Sequence, residues 1–206
     1  MKIYICKDYK NARWRKKIAG DEKLSLAFAR LCVCDYIGRR IDRVNLKFDR
    51  AKYGKPFIKK ISRKDGGRID RVLHFSLSHS GDMLICAVAR YNIGADCQLT
   101  NIKDINICKK IAARFYSPQE LLLLDGLTEL NYIDKFFEIW AKKEAYVKYT
   151  GKGLSEGLSS FSVAGKPCCV MADVYFTRVA PELSGVYIYI CCGIENKDKL
   201  RVYYIK

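Results

Sequence analysis

No stretch of the chain approaches the roughly 20 consecutive apolar residues that a membrane-spanning helix needs, and Met1 to Cys6 lacks the long apolar segment of a signal peptide. A soluble, cytoplasmic protein with no membrane partner is the expectation. Paired CxxC spacing is also missing, which removes the usual zinc frameworks although the chain carries 10 cysteines. They stand in apolar contexts such as Leu31-Cys32-Val33-Cys34 and Tyr189-Ile190-Cys191-Cys192 and are read as small, reduced core residues. Negative charge is scarce: 22 acidic against 38 basic side chains leave a formal charge of +16. An excess of that size asks for an acidic partner, which on charge alone is nucleic acid, anionic lipid, a phosphorylated small molecule or an acidic protein.

What is present is enough for a substantial core, since half of the 206 residues are apolar. Lys2 to Cys6 alternates as a strand, Lys7 to Gly20 is polar and basic, and Asp21 is placed to cap a helix over Glu22 to Tyr36. Arg39 to Lys52 reads as charged and irregular, followed by a Tyr53-Gly54-Lys55-Pro56 turn into a short extended segment. Strands are expected at Phe75 to Leu77, Met83 to Ala89 and Ile93 to Asp96. Asp104 opens a helix running to Phe115, and Ser117-Pro118-Gln119-Glu120 is a capping box that starts another. Further strands follow at Phe161 to Val163, Cys169 to Phe176, Val186 to Cys192 and Leu200 to Ile205. The order β, α, β, β and then α, β, β defines an α+β class, with two similar halves, 1–100 and 101–206.

The chemistry concentrates in a long helix over Asn131 to Gly153. At 100° per residue Ile133, Phe136, Phe137, Trp140 and Val147 share one face, and Glu144 falls in its middle. A carboxylate inside an apolar stripe is costly unless a cation, a metal or several donors meet it. Lys143 and Lys148 flank it, so the pattern fits a metal-bound anionic ligand, and fits equally a plain Glu144–Lys148 helix pair. A second candidate is Phe75-Ser76-Leu77-Ser78-His79-Ser80-Gly81-Asp82, which offers hydroxyl, imidazole and backbone donors to a small anion, or is a turn with a hydrogen-bonded histidine. A third is Asp96 at the end of an apolar strand, with Gln98 projecting from the same face, which reads as a metal ligand or as a strand-end aspartate that caps the turn at Asn101. Magnesium is the natural ion for two carboxylates joined by ligand phosphates and waters.

Taken together these segments resemble the 4′-phosphopantetheinyl transferases of the Sfp type. FSLSHSGD at 75–82, IGADCQ at 93–98, ARFYSPQE at 113–120 and FFEIWAKKEAYVKYTGKGL at 136–154 stand in that family's order, with YGKPFI at 53–58 and FSV at 161–163 as further marks. The resemblance implies a pseudo-twofold pair of α+β halves with coenzyme A in the cleft between them. It implies Asp96 and Glu144 as ligands of Mg2+, or Mn2+, on the pyrophosphate, with Gln98 standing where the family often has a second acid and holding the metal weakly or through a water. It also implies coenzyme A contacts from Lys55, Ser78, His79 and Lys148, and more loosely from Ser25 and Arg30. Glu144, directly or through a metal-held water, becomes the base for a serine of an acyl carrier or peptidyl carrier protein, and Lys148 the neutraliser of leaving-group charge. An acidic carrier is expected to dock along Ile105 to Glu129, where Lys109, Lys110 and Arg114 meet an exposed Leu121 to Leu124 run, on a monomer. A nucleic-acid-binding protein explains the charge but leaves Asp96 and Glu144 without a purpose, so no nucleic acid partner is expected.

Overall fold

The computed structural model describes residues 1–17, 23–69, 71–100, 102, 104–153, 157–164, 173–196 and 200–206. Its strands are β1 (Lys2–Cys6), β2 (Val44–Arg50), β3 (Pro56–Arg63), β4 (His74–Ser80), β5 (Met83–Ala89), β6 (Ile93–Leu99), β7 (Val174–Val179), β8 (Val186–Gly193) and β9 (Arg201–Tyr204). Its helices are α1 (Leu24–Tyr36), α2 (Ile105–Phe115), α3 (Pro118–Leu122) and α4 (Glu129–Thr150). None of them, among the described residues, is long and apolar enough to cross a membrane. The class is α+β, as the order of elements implied.

Two sheets form the centre, ordered β4-β5-β1-β9 and β6-β8-β7. Their inner faces follow from the period of two along each strand. Ile3 and Ile5, then Ile85, Ala87 and Ala89, then Ile93, Ala95 and Cys97, and finally Ile188 and Ile190 form one dry layer between the sheets. The alternate residues look outward: Tyr4, Cys86 and Val88 pack with α1, whereas Tyr187, Tyr189 and Cys191 pack with α4. The layers are therefore helix, sheet, sheet, helix. Strands from the first and last parts of the chain pair in both sheets, β6 antiparallel with β8 and the C-terminal β9 parallel with β1.

Several expectations need correction. Arg39 to Lys52 is not irregular, because Val44 and Leu46 alternate with polar residues and build β2, which pairs with β3 in a hairpin. The basic segment after β1 is not wholly solvated, because Trp14 turns inward against Phe28 and donates its Nε1–H to Cys6 Sγ at 3.4 Å. The cap expected from Asp21 and the start of the Cys169 strand lie outside the described residues; the residue preceding α1, Lys23, makes no side-chain capping bond. Phe161 to Val163 is buried but forms no strand. Two of its backbone groups go to side chains: Lys143 Nζ donates to the Phe161 carbonyl at 2.7 Å, as it does to the nearby Leu158 carbonyl at 2.7 Å, and Val163 N–H donates to Glu120 Oε1 at 2.7 Å.

That last network revises the sequence reading of Lys143. It does not flank Glu144 in the site but forms an ion pair with Glu120 at 2.7 Å, both side chains being 0% exposed. Glu120 is also the reciprocal partner in the capping box of α3, accepting from Ser117 N–H at 2.8 Å. Removing one partner leaves a charge without water or counter-charge. Lys143→Met and Glu120→Gln are each expected to lose about 3–5 kcal/mol in denaturant unfolding, and Glu120→Leu combined with Lys143→Met to regain a large part of it. Additive losses in the double variant would contradict the pairing.

Candidate active site between strand β6 and helix α4

Because Ile93, Ala95 and Cys97 enter the layer between the sheets, Gly94, Asp96 and Gln98 face α4. The helix comes unusually close at Gly94. A Cβ added there would stand 2.0 Å from the carbonyl oxygen of Ala145 and 2.4 Å from the amide nitrogen of Tyr149, which only glycine allows. The approach sets the turn of α4 carrying Glu144 and Lys148 over Asp96.

Asp96 is 2% exposed and receives three donors. Lys148 Nζ donates to Oδ1 at 2.6 Å, Ser78 Oγ to the same oxygen at 2.7 Å, and Gln98 Nε2 to Oδ2 at 2.8 Å. A cation, a hydroxyl and an amide together offset the cost of burying the carboxylate. Glu144 is treated differently. It is partly buried and has no hydrogen bond or ion pair with any described residue. Burial raises its carboxyl pKa above the ordinary range, the negative charge of Asp96 raises it further, and Lys148 opposes the shift. Two carboxylates from separate elements thus face one space with less than their full complement of positive charge.

Five of the residues expected from sequence, Ser78, Asp96, Gln98, Glu144 and Lys148, meet here. The others stand outside the hydrogen-bonded cluster. His79 follows Ser78 on β4 and so takes the opposite face, exposed, with its ring 6.4 Å from that of Tyr9. Arg30 donates to the Leu46 carbonyl at 2.6 Å and lies 5.5 Å over the Phe48 ring, tying α1 to β2. Ser25 sits half-buried in the first turn of α1. Lys55 donates to Asn92 Oδ1 at 2.9 Å, to the Tyr149 carbonyl at 3.2 Å and to the Ile93 carbonyl at 3.4 Å, and burial holds its pKa down at about 8.

The sequence reading missed Ser76 and Ser80. Ser76 Oγ accepts from Ala95 N–H at 2.9 Å and Ser80 Oγ from Leu99 N–H at 3.1 Å, so alternate serines of β4 fasten β6 on either side of the Ser78–Asp96 bond. The signal was there: serine at every second position of Phe75-Ser76-Leu77-Ser78-His79-Ser80. The donor set suits a hard divalent cation, which takes one or two protein carboxylates and draws the rest of its shell from ligand phosphates and water. Among the described residues no group of three or more His, Cys, Asp or Glu side chains is placed to hold a metal, so the protein's share would be Asp96, Glu144 and the amide oxygen of Gln98.

Residues 92–172, which include β6 and α4, match the family model of the 4′-phosphopantetheinyl transferase superfamily. That segment belongs to the superfamily. The chain is 33% identical over 161 residues to the 4′-phosphopantetheinyl transferase gsp of Aneurinibacillus migulanus, covering 75% of this chain and 61% of that one. It is 36% identical over 124 residues to the 4′-phosphopantetheinyl transferase Sfp of Bacillus subtilis (60% and 50% covered), and 32% identical over 132 residues to the 4′-phosphopantetheinyl transferase HetI of Nostoc sp. (64% and 52% covered). These alignments span 50% to 61% of the relatives' own length. The likeness is to the Sfp type.

A raised carboxyl pKa means that ionised Glu144 costs folding free energy, a cost absent below the ordinary carboxylate range and growing as pH rises through the raised value. Glu144→Gln should therefore melt a few degrees higher than the natural protein near neutral pH, the difference closing as pH falls below about 4. A neutral-pH melting point that drops in this variant would remove the unrelieved charge from the account.

Proposed function

We propose that the protein transfers the 4′-phosphopantetheine arm of coenzyme A to a serine of an apo acyl carrier or peptidyl carrier protein, releasing 3′,5′-ADP. The observation that carries this reading is a Glu144 with no hydrogen bond or ion pair among the described residues, beside the triply bonded Asp96 and within the electrostatic reach of Lys148. Such an arrangement has little purpose in a protein that binds a nucleic-acid backbone, which two acids would repel. It suits a ligand that brings negative phosphates together with a divalent cation.

In the reaction the serine oxygen attacks the β-phosphorus, the new P–O bond replacing the bond to 3′,5′-ADP, and the hydroxyl proton must leave. Glu144 takes that proton, directly or through a water held by the cation. Lys148, free to leave Asp96 once phosphate oxygens compete for it, neutralises charge that accumulates on the departing oxygens. Asp96, Glu144 and Gln98 would hold Mg2+, or Mn2+ in its place, which when bound supplies Lewis-acid neutralisation of the pyrophosphate. Ser78 keeps Asp96 aimed at the site through its 2.7 Å bond. Halves 1–100 and 101–206 are read as related by a pseudo-twofold, apart from the pairing of β6 with β8 and of β9 with β1, and the protein as a cytoplasmic monomer.

For the carrier we propose the face built by α2, α3 and the turn into α4. Leu122 is 73% exposed and Leu123 46%, while Leu124 turns inward, against the expectation that the whole leucine run is exposed. Beside them lies a groove of about 400 Å3 lined in part by Lys109, Leu121, Leu122 and Tyr132, with the Lys109 ammonium 5.7 Å over the Tyr132 ring. An apolar ridge rimmed by cations fits the helical face of a small acidic carrier domain.

Protein, Mg2+, coenzyme A and an apo-carrier are mixed and the carrier weighed: gain of the phosphopantetheine arm is expected. Coenzyme A binding without transfer would mark a binding protein that has lost catalysis. Reversing Lys109 and Arg114 to glutamate is expected to raise the carrier KM about tenfold or more, with coenzyme A binding unchanged. Unaltered carrier kinetics in that variant would place docking elsewhere.

A further inference from the structure

Lys55 sits in the tight turn between β2 and β3, which Ala51 closes by donating its N–H to the Lys55 carbonyl at 2.9 Å. The resemblance assigns this lysine to the ligand. Its surroundings say otherwise. An ammonium group has three N–H donors, and Asn92 Oδ1, the Tyr149 carbonyl and the Ile93 carbonyl take all three. None remains for a nucleotide unless one of these bonds breaks.

The acceptors come from two elements and the turn between two strands. Tyr149 is in the last turn of α4, where carbonyls lack helical partners and the dipole favours a cation. The same Tyr149 oxygen accepts from Asn92 Nδ2 at 2.8 Å, so Asn92 receives from Lys55 with one end of its amide and holds the helix with the other. Ile93 begins β6, one residue before Gly94, where strand and helix backbones touch. The lysine stem also runs along the helix stop: a Cβ on Gly151, which has φ of 70°, would lie 3.2 Å from Lys55 Cδ.

We infer that Lys55 is a positioning residue, anchoring the C-terminal turns of α4 to the start of β6 and thereby fixing Glu144 and Lys148 over Asp96. The kinetic part of its consequences rests on the transfer reaction proposed above; the structural part does not. Without the anchor the Tyr149 carbonyl keeps the Asn92 bond but not the Lys55 bond, the last turns of α4 fray, and Lys148, one residue before Tyr149, and Glu144, five residues before it, lose their registry with Asp96.

Lys55→Met, Lys55→Arg and Asn92→Ala are compared with the natural protein by amide hydrogen exchange and by steady-state kinetics. In Lys55→Met, exchange of the amides from Ala145 to Gly151 should speed up about tenfold relative to those of α1, with smaller acceleration in Asn92→Ala. Transfer should show kcat down about tenfold with KM for coenzyme A within twofold, and Lys55→Arg should restore a large part of both readouts. Unchanged exchange in α4 overturns the inference whatever the activity. So does a raised KM for coenzyme A with kcat intact, which would make Lys55 a ligand contact. Absence of transfer in the natural protein would sink the proposed function instead, leaving exchange to decide on Lys55, and a Lys55→Met chain that does not fold leaves Asn92→Ala to answer by the same measurement.

Discussion

Contact between the backbone of α4 and strand β6 at Gly94 is the constraint on which the site depends. Every other feature there concerns side chains, which swing, but backbone against backbone fixes a distance. With the helix axis held that close, the i to i+4 spacing of Glu144 and Lys148 puts both groups on the side of α4 facing the strand. The strand's period of two then presents Asp96 to them. Any side chain at position 94 would meet the Ala145 carbonyl and the Tyr149 amide before it met anything flexible. The stop at Gly151 and the Lys55–Asn92 bonds to Tyr149 hold the far end of the same helix.

Charge in the site is distributed unevenly. Asp96 is satisfied on both oxygens, whereas Glu144 is left with burial and a neighbouring anion against it. A protein built only for stability would pair or replace it. Elsewhere in the same helix the opposite choice is made, for Lys143 is fully buried yet meets Glu120 and two carbonyls. Two adjacent residues of α4 thus illustrate a satisfied and an unsatisfied ionisable group, a difference that sets a structural position apart from a chemical one.

Much of this was legible from residue order. The strands Lys2–Cys6 and Met83–Ala89 and the helix Ile105–Phe115 with its Asp104 cap follow directly from alternation and capping chemistry. Glu144 with Lys148 and Asp96 with Gln98 were each singled out by an acid in an apolar pattern and by spacing on one face, while the resemblance alone implied that the two pairs form one site. The hairpin arm was not legible, since basic residues on its exposed face mask the alternation of Val44 and Leu46. Nor was the fate of Lys143, for periodicity assigns a residue to a sector of the helix without saying which distant acid lies there. Glu120 lies more than 20 positions upstream, and its capping-box role already accounted for its presence. Phe161 to Val163 has the composition of a strand, but two of its backbone groups are taken by that buried pair.

Gln98 shows how one neutral group alters the economy of the site. An acid at that position would face Asp96 with a further negative charge, while among the described residues Lys148 is the one cation paired with Asp96. The amide instead donates a hydrogen to Asp96 Oδ2, which a carboxylate cannot do. The site without ligand is thereby held in shape by Lys148, Ser78 and Gln98, each bonded to the same aspartate. On the proposed reading, a divalent cation bound there would have to break or turn some of these bonds, so ligand phosphates would have to contribute to its affinity. A third acid would invert the balance, strengthening attraction for the cation while raising the electrostatic cost of folding without it. The preference for an amide therefore favours a site that is ordered before its ligand arrives.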